Sequence, residues 1–261
     1  MTFFVFPLLG AVAGFIGGLL GVGGGLIVVP VLIMTFTLLS FDDSVLTHMA
    51  IGTSLATIIV TSVGAVCAHH RKGAVRWDIL YWYAPGLALG ALFGAEIADL
   101  MPGRTLQIVF GIFSIVIAIK MGLNLKASPH RQMPQKAALL LPGAIVGSIS
   151  SLFGIGGGSL TVPFFSWCNV KIQQAVATSS AGGLPIAMSG ALGFVITGWS
   201  SPELPEWSFG YVYLPALLGV GIFSAVFSQY GALYAHRLPA KTLKRLFSIL
   251  LAIVGLKLVA G

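Results

Sequence analysis

The chain has 261 residues, 57% of them hydrophobic and 8% charged, with a net charge of +7 and a mean hydropathy of +0.98. A soluble globular domain carries about 25% charged residues, so this composition excludes a soluble fold and calls for a bilayer as solvent. Nor does the positive balance mark a nucleic-acid binder: the Lys and Arg residues sit in short loops between apolar runs, the pattern that orients membrane helices.

The first apolar run covers about 3–39. It lacks the basic n-region of a signal peptide, since the first Lys or Arg is Arg71. Glycines at Gly21–Gly25 break it into a piece near 3–20 and a returning piece near 26–39. Long helices are predicted at 45–68, 77–99 and 104–123, followed by a polar, basic linker at 124–136. A second broken run covers 137–170, and helices are predicted at 174–197, 208–234 and 240–260. Cys67 and Cys168 lie in apolar surroundings and read as packing residues; two cysteines make neither a zinc site nor a disulfide framework.

The two broken runs are copies. Residues 10–30 read GAVAGFIGGLLGVGGGLIVVP and residues 143–163 read GAIVGSISSLFGIGGGSLTVP, with 11 of 21 positions identical and no gap. Ala50-Ile-Gly-Thr53-Ser54 then aligns with Ala175-Val-Ala-Thr178-Ser179, and Pro102-x-x-Thr105-Leu106-x₃-Phe110 with Pro239-x-x-Thr242-Leu243-x₃-Phe247. Both halves therefore carry the same elements in the same order.

Charge sets their orientation. The loop from His69 to Arg76 and the linker are basic and are expected in the cytoplasm, which puts Asp42 and Asp43 outside. The loop equivalent to 69–76 is Gly198–Glu206, which lacks Lys and Arg and is expected outside. Equivalent loops on opposite sides mean inverted repeats and an odd number of crossings per half. Three long helices meet that parity only if the broken run enters and leaves on one face. The expected fold is an all-α membrane protein of two inverted repeats, each a glycine-broken re-entrant helical hairpin plus three transmembrane helices. Residues 1–123 form the first repeat, 124–136 the cytoplasmic linker and 137–261 the second repeat. Both termini are expected outside. Parity alone does not separate a shallow re-entrant loop from a full hairpin.

Two such hairpins bring their turns together near the membrane midplane, where discontinuous helices of secondary transporters hold their ligands. Leu26 and Ser159 begin the returning pieces, so two helix N-termini point inward. Each offers unpaired N–H groups and about half a positive charge, which favours an anion. The candidate substrate-binding residues are Gly23, Gly24, Gly25, Leu26, Gly156, Gly157, Gly158 and Ser159, with the hydroxyls of Thr53, Ser54, Thr178, Ser179 and Ser180. A back-bond to the i−4 carbonyl is the structural alternative for those hydroxyls. Neither glycine run is a P-loop or a dinucleotide fingerprint, because no Gly-Lys-Ser/Thr follows and G-x-G-x-x-G fails at Leu26 and Ser159. His48, Glu96 and Asp99 lie near helix ends and read as interfacial, and Lys120 and Lys257 as snorkelling.

The paired G-x-GGG-x₃-V-P segments, the Ala-x-x-Thr-Ser stretches and the repeated Pro-x-x-Thr-Leu-x₃-Phe helix starts resemble the TauE/SafE family of sulfite exporter-like membrane permeases. The resemblance covers about 10–258 and implies a multi-pass transporter of the bacterial or archaeal cytoplasmic membrane. It implies as substrate sulfite, a sulfonate or another small sulfur-containing anion, moved outward. The expected protein is a secondary transporter working by alternating access between the halves, with no cofactor, no metal, no catalytic residue and no nucleic-acid partner. Its expected partners are the small anion, the lipid bilayer and a coupling proton or ion. A permease for another small anion, such as a carboxylate, is the alternative. An enzyme is disfavoured, because no Ser/His, Cys/His or paired-carboxylate set falls at mid-membrane depth.

Overall fold

The computed structural model describes residues 2–20, 25–123, 132–235 and 240–260. Ten α-helices make up almost all of its regular structure: α1 (Thr2–Leu20), α2 (Gly25–Leu38), α3 (Asp43–Arg71), α4 (Trp77–Asp99), α5 (Gly103–Gly122), α6 (Leu140–Leu152), α7 (Gly158–Trp167), α8 (Ile172–Gly198), α9 (Leu214–Ala235) and α10 (Ala240–Ala260). Among the described residues, four segments are long and apolar enough to cross a bilayer: Asp43–Arg71, Gly103–Gly122, Ile172–Gly198 and Leu214–Gly231. Leu8, Phe93, Leu100, Leu192, Leu218 and Ile253 are among many large apolar side chains exposed on the outside of the bundle. So much exposed apolar surface is far beyond what a soluble monomer shows, and it is the lipid-facing side of a multi-pass membrane protein.

Each broken run is a pair of helices. At 1.5 Å per residue, α1 and α2 span about 28 and 21 Å, and α6 and α7 about 20 and 15 Å. The returning helices begin one residue earlier than expected, at Gly25 and Gly158. The helix expected at 208–234 begins only at Leu214. Before it, Ser208–Phe209 (β1) pairs antiparallel with Val212–Tyr213 (β2), and the backbone turns through Trp207 (φ 69°) and Gly210 (φ 55°).

The helices pack crosswise between the halves. α1 lies along α9 and α6 along α4, while α5 pairs with α10 and α3 with α8. Without a hydrophobic drive in lipid, such pairs depend on close backbone approach through small residues. Gly86, Gly90 and Gly94, one turn apart on α4, each face the α6 backbone, at the carbonyls of Leu140, Ala144 and Ser148. Gly143 and Gly147 of α6 return the contact at Tyr83 and Leu87. α3 has a conventional start, with the Asp42 carboxylate accepting from the Ser44 amide at 2.9 Å. The Ser44 hydroxyl, and then this amide, hold the Asp42 carboxyl below the usual carboxylate range. His69, His70 and Arg71 in the last turn of α3 complement its dipole.

Candidate functional site

The two glycine breaks meet inside the bundle. A Cβ on Gly25, the first residue of α2, would run into the carbonyl oxygen of Gly154 and come within 2.8 Å of the Ile155 Cα. Only glycine permits that approach. The second break turns through Gly154 (φ 63°) and Gly157 (φ 74°), and Gly157 is the N-cap of α7. Gly156 lies against the middle of both long central helices: its carbonyl oxygen is 3.0 Å from the Cβ position of Gly183 on α8, and its own Cβ position is 3.4 Å from Ile58 on α3.

From this meeting point α2 and α7 lead to opposite ends of α4. The far end of α2 stacks Phe36 on Phe41 beside the start of α3, where His48 reaches the carbonyl of Ala98 at the end of α4. The far end of α7 stacks Phe164 on Tyr83, near the start of α4. Their N-termini therefore point into the interior, each with the positive end of its helix dipole. Leu26 is buried and apolar, whereas Ser159 is half-buried. Gly23 and Gly24 lie outside the described residues.

The expected hydroxyls divide by partner. Ser54 donates to the Gly154 carbonyl at 2.9 Å, tying α3 to the second turn. Thr53 accepts from the amide of Tyr213 at 2.9 Å, and Thr178 accepts from the amide of Arg76 at 2.9 Å. Arg76 and Tyr213 immediately precede α4 and α9, so each threonine caps the following helix of the other half. Ser180 makes the i−4 back-bond, to Val176. Ser179 is buried and its hydroxyl has no partner among the described residues.

Two further hydroxyls with no partner among the described residues, those of Ser150 and Ser151, are fully buried on α6 just ahead of the second turn. Neither is among the residues expected at the site. Their signal lay in the alignment of the halves, where they replace Gly17 and Gly18.

At the end of α4 a second polar cluster ties three elements together. His48, expected at an interface, is only 3% exposed. Its Nε2 lies 2.9 Å from the Ala98 carbonyl and 3.2 Å from that of Met101, and its ring stacks on Tyr211 at 5.0 Å. The Tyr211 hydroxyl donates to Asp99 at 3.0 Å. Burial, then the neighbouring Asp99 charge, push the Tyr211 phenol up to about 12, so it remains a donor throughout the physiological range.

The chain is similar over nearly its whole length to known membrane transporters. The family model described as sulfite exporter TauE/SafE matches residues 6–258. A protein of Haemophilus influenzae named as a probable membrane transporter is 35% identical over 255 residues, covering 96% of each chain. The probable membrane transporter YunE of Bacillus subtilis is 28% identical over 279 residues, covering 99% of this chain and 98% of its own. One from Methanocaldococcus jannaschii, similarly named, is 28% identical over 251 residues, with 95% and 92% covered.

Proposed function

Because the chain belongs to the sulfite exporter TauE/SafE family of membrane transporters, we propose that it exports sulfite or another small sulfur-containing anion by alternating access, with the anion held where the N-termini of α2 and α7 converge. The observation that carries this reading is the contact of Gly25 with Gly154 and Ile155. It sets the N-terminus of α2 against the buried turn that leads into α7, and helix N-termini gathered in one place favour negative charge. Irregular backbone at that depth is tolerable only where it is buried in protein or lines a wet path. The substrate-facing set is the glycine turns with Ser159 and the unpartnered Ser179. Thr53 and Thr178 serve the same site at one remove, holding the halves together around it.

The crosswise pairing of α1 with α9 and α6 with α4 supports two repeats, 1–123 and 137–261, related by inversion across the membrane. The basic 69–76 loop and the 124–136 linker then face the cytoplasm. Purified protein in liposomes is expected to catalyse saturable sulfite counterflow, competed by short sulfonates or thiosulfate. A protein that moves acetate but none of the sulfur anions would shift the substrate to carboxylates. One that moves no small anion under any imposed gradient overturns the reading.

A further inference from the structure

The two hairpins that form this site are not chemically equivalent. Aligning the halves sets Gly17 and Gly18 of α1 against Ser150 and Ser151 of α6, and Leu26 and Val28 of α2 against Ser159 and Thr161 of α7. All four hydroxyls lie on the second hairpin. The fully buried, unpartnered Ser150 hydroxyl is aimed at the start of α7: it lies 3.6 Å from the Cβ position of Gly157, the N-cap, and the Thr161 hydroxyl lies 3.5 Å from the same point. A buried hydroxyl with no partner loses its hydration without compensation, and a bound oxyanion would supply the missing acceptor.

The central helices repeat the asymmetry. The alignment of Ala50–Ser54 on Ala175–Ser179 runs on without a gap to set Ile58 of α3 against Gly183 of α8. The Ile58 side chain stands between the turns, its Cδ1 3.1 Å from the Cβ position of Gly25 and its Cγ2 3.4 Å from that of Gly156. A branched aliphatic chain thus meets each helix start, Ile58 at α2 and Ile186 at α7, where the Ile186 Cδ1 lies 2.5 Å from the Cβ position of Gly157, but only the α7 N-cap has hydroxyls beside it.

We propose that the site is one-sided: the Ser150 hydroxyl and the Gly157–Gly158 end of α7 hold the oxyanion group, and Ile58 limits the remainder of the substrate from the α2 side. This rests on the transport reading above and narrows it. The substrate class is a small anion with its oxygens gathered at one end and an apolar or polarisable remainder. Sulfite and the shortest sulfonates fit, whereas an anion charged at both ends would leave one charge against Ile58.

The test compares wild type, Ser150→Ala, Ser150→Thr and Ile58→Ala in liposomes, with sulfite, methanesulfonate and 1-propanesulfonate as substrates. A lost hydrogen bond to a charged group predicts that Ser150→Ala raises the sulfite KM about tenfold or more. Its kcat should stay within about twofold, the pattern of lost ground-state binding, and Ser150→Thr should restore most of the affinity by keeping the hydroxyl. Ile58→Ala should raise propanesulfonate flux relative to sulfite by about fivefold, on the scale of a few methylenes in a fitted pocket. An unchanged sulfite KM in Ser150→Ala, or an unchanged flux ratio in Ile58→Ala, overturns the one-sided site while leaving a working transporter. Wild-type protein that moves none of the three anions overturns both this assignment and the transport reading.

Discussion

At the scale of single residues, the informative pair is Thr53 and Thr178. The Ala-x-x-Thr-Ser repeat made them conspicuous in the sequence as hydroxyls that could face a ligand. Their partners, the amides of Tyr213 and Arg76, lie 160 and 102 residues away in the chain, and no local pattern announces a contact over that distance. Both side chains are fully buried, so each bond replaces water for an amide just before a helix start. The isosteric changes Thr53→Val and Thr178→Val leave that amide without its acceptor, which costs about 1–3 kcal/mol. Each is expected to lower the melting temperature of detergent-purified protein while leaving the sulfite KM near the wild-type value. A raised KM at unchanged thermal stability would instead make the threonines direct ligands.

At the scale of elements, the α4–α6 pair shows what the glycines do outside the site. A Cβ on Gly90 would enter the Ala144 carbonyl and stand 2.8 Å from the Ala144 Cα, and both atoms belong to backbone that cannot swing away. Gly90→Val is therefore expected to separate the helices and abolish the monodisperse peak in detergent size-exclusion chromatography. Gly64→Val on α3, where a Cβ meets nothing within 4 Å, should elute as wild type; matching behaviour of the two variants would contradict the packing. The broken runs were legible in the sequence because three consecutive glycines weaken a helix and recur 133 residues later. The pairing of each hairpin with the fourth helix of the other half was not, since glycine spacing on α4 names a face but no partner. The short hairpin at 208–213 was hidden for another reason. Phe209, Tyr211, Val212 and Tyr213 form a short apolar run that periodicity cannot tell from a helix start.

At the scale of the whole molecule, the proposed inversion is what would make two glycine breaks into one site. If the halves ran in the same sense, α2 and α7 would leave their turns in the same direction and present their dipoles side by side. Instead they lead to opposite ends of α4, and in the proposed inversion exchanging the halves would exchange the two faces of the membrane. The proposed alternating access would rest on that relation, with the same contacts opening toward either side. Its consequence is an orientation measurable without any substrate. Cys67 is exposed and Cys168 buried, so both are first replaced by Ser. Lys72→Cys then reports the loop between α3 and α4, and Glu206→Cys the equivalent loop before α9. With a membrane-impermeant maleimide, Glu206→Cys is expected to label in intact cells and Lys72→Cys only after permeabilisation. Labelling of both from one side would place equivalent loops on the same face, and the two helix N-termini could then no longer belong to inverted halves.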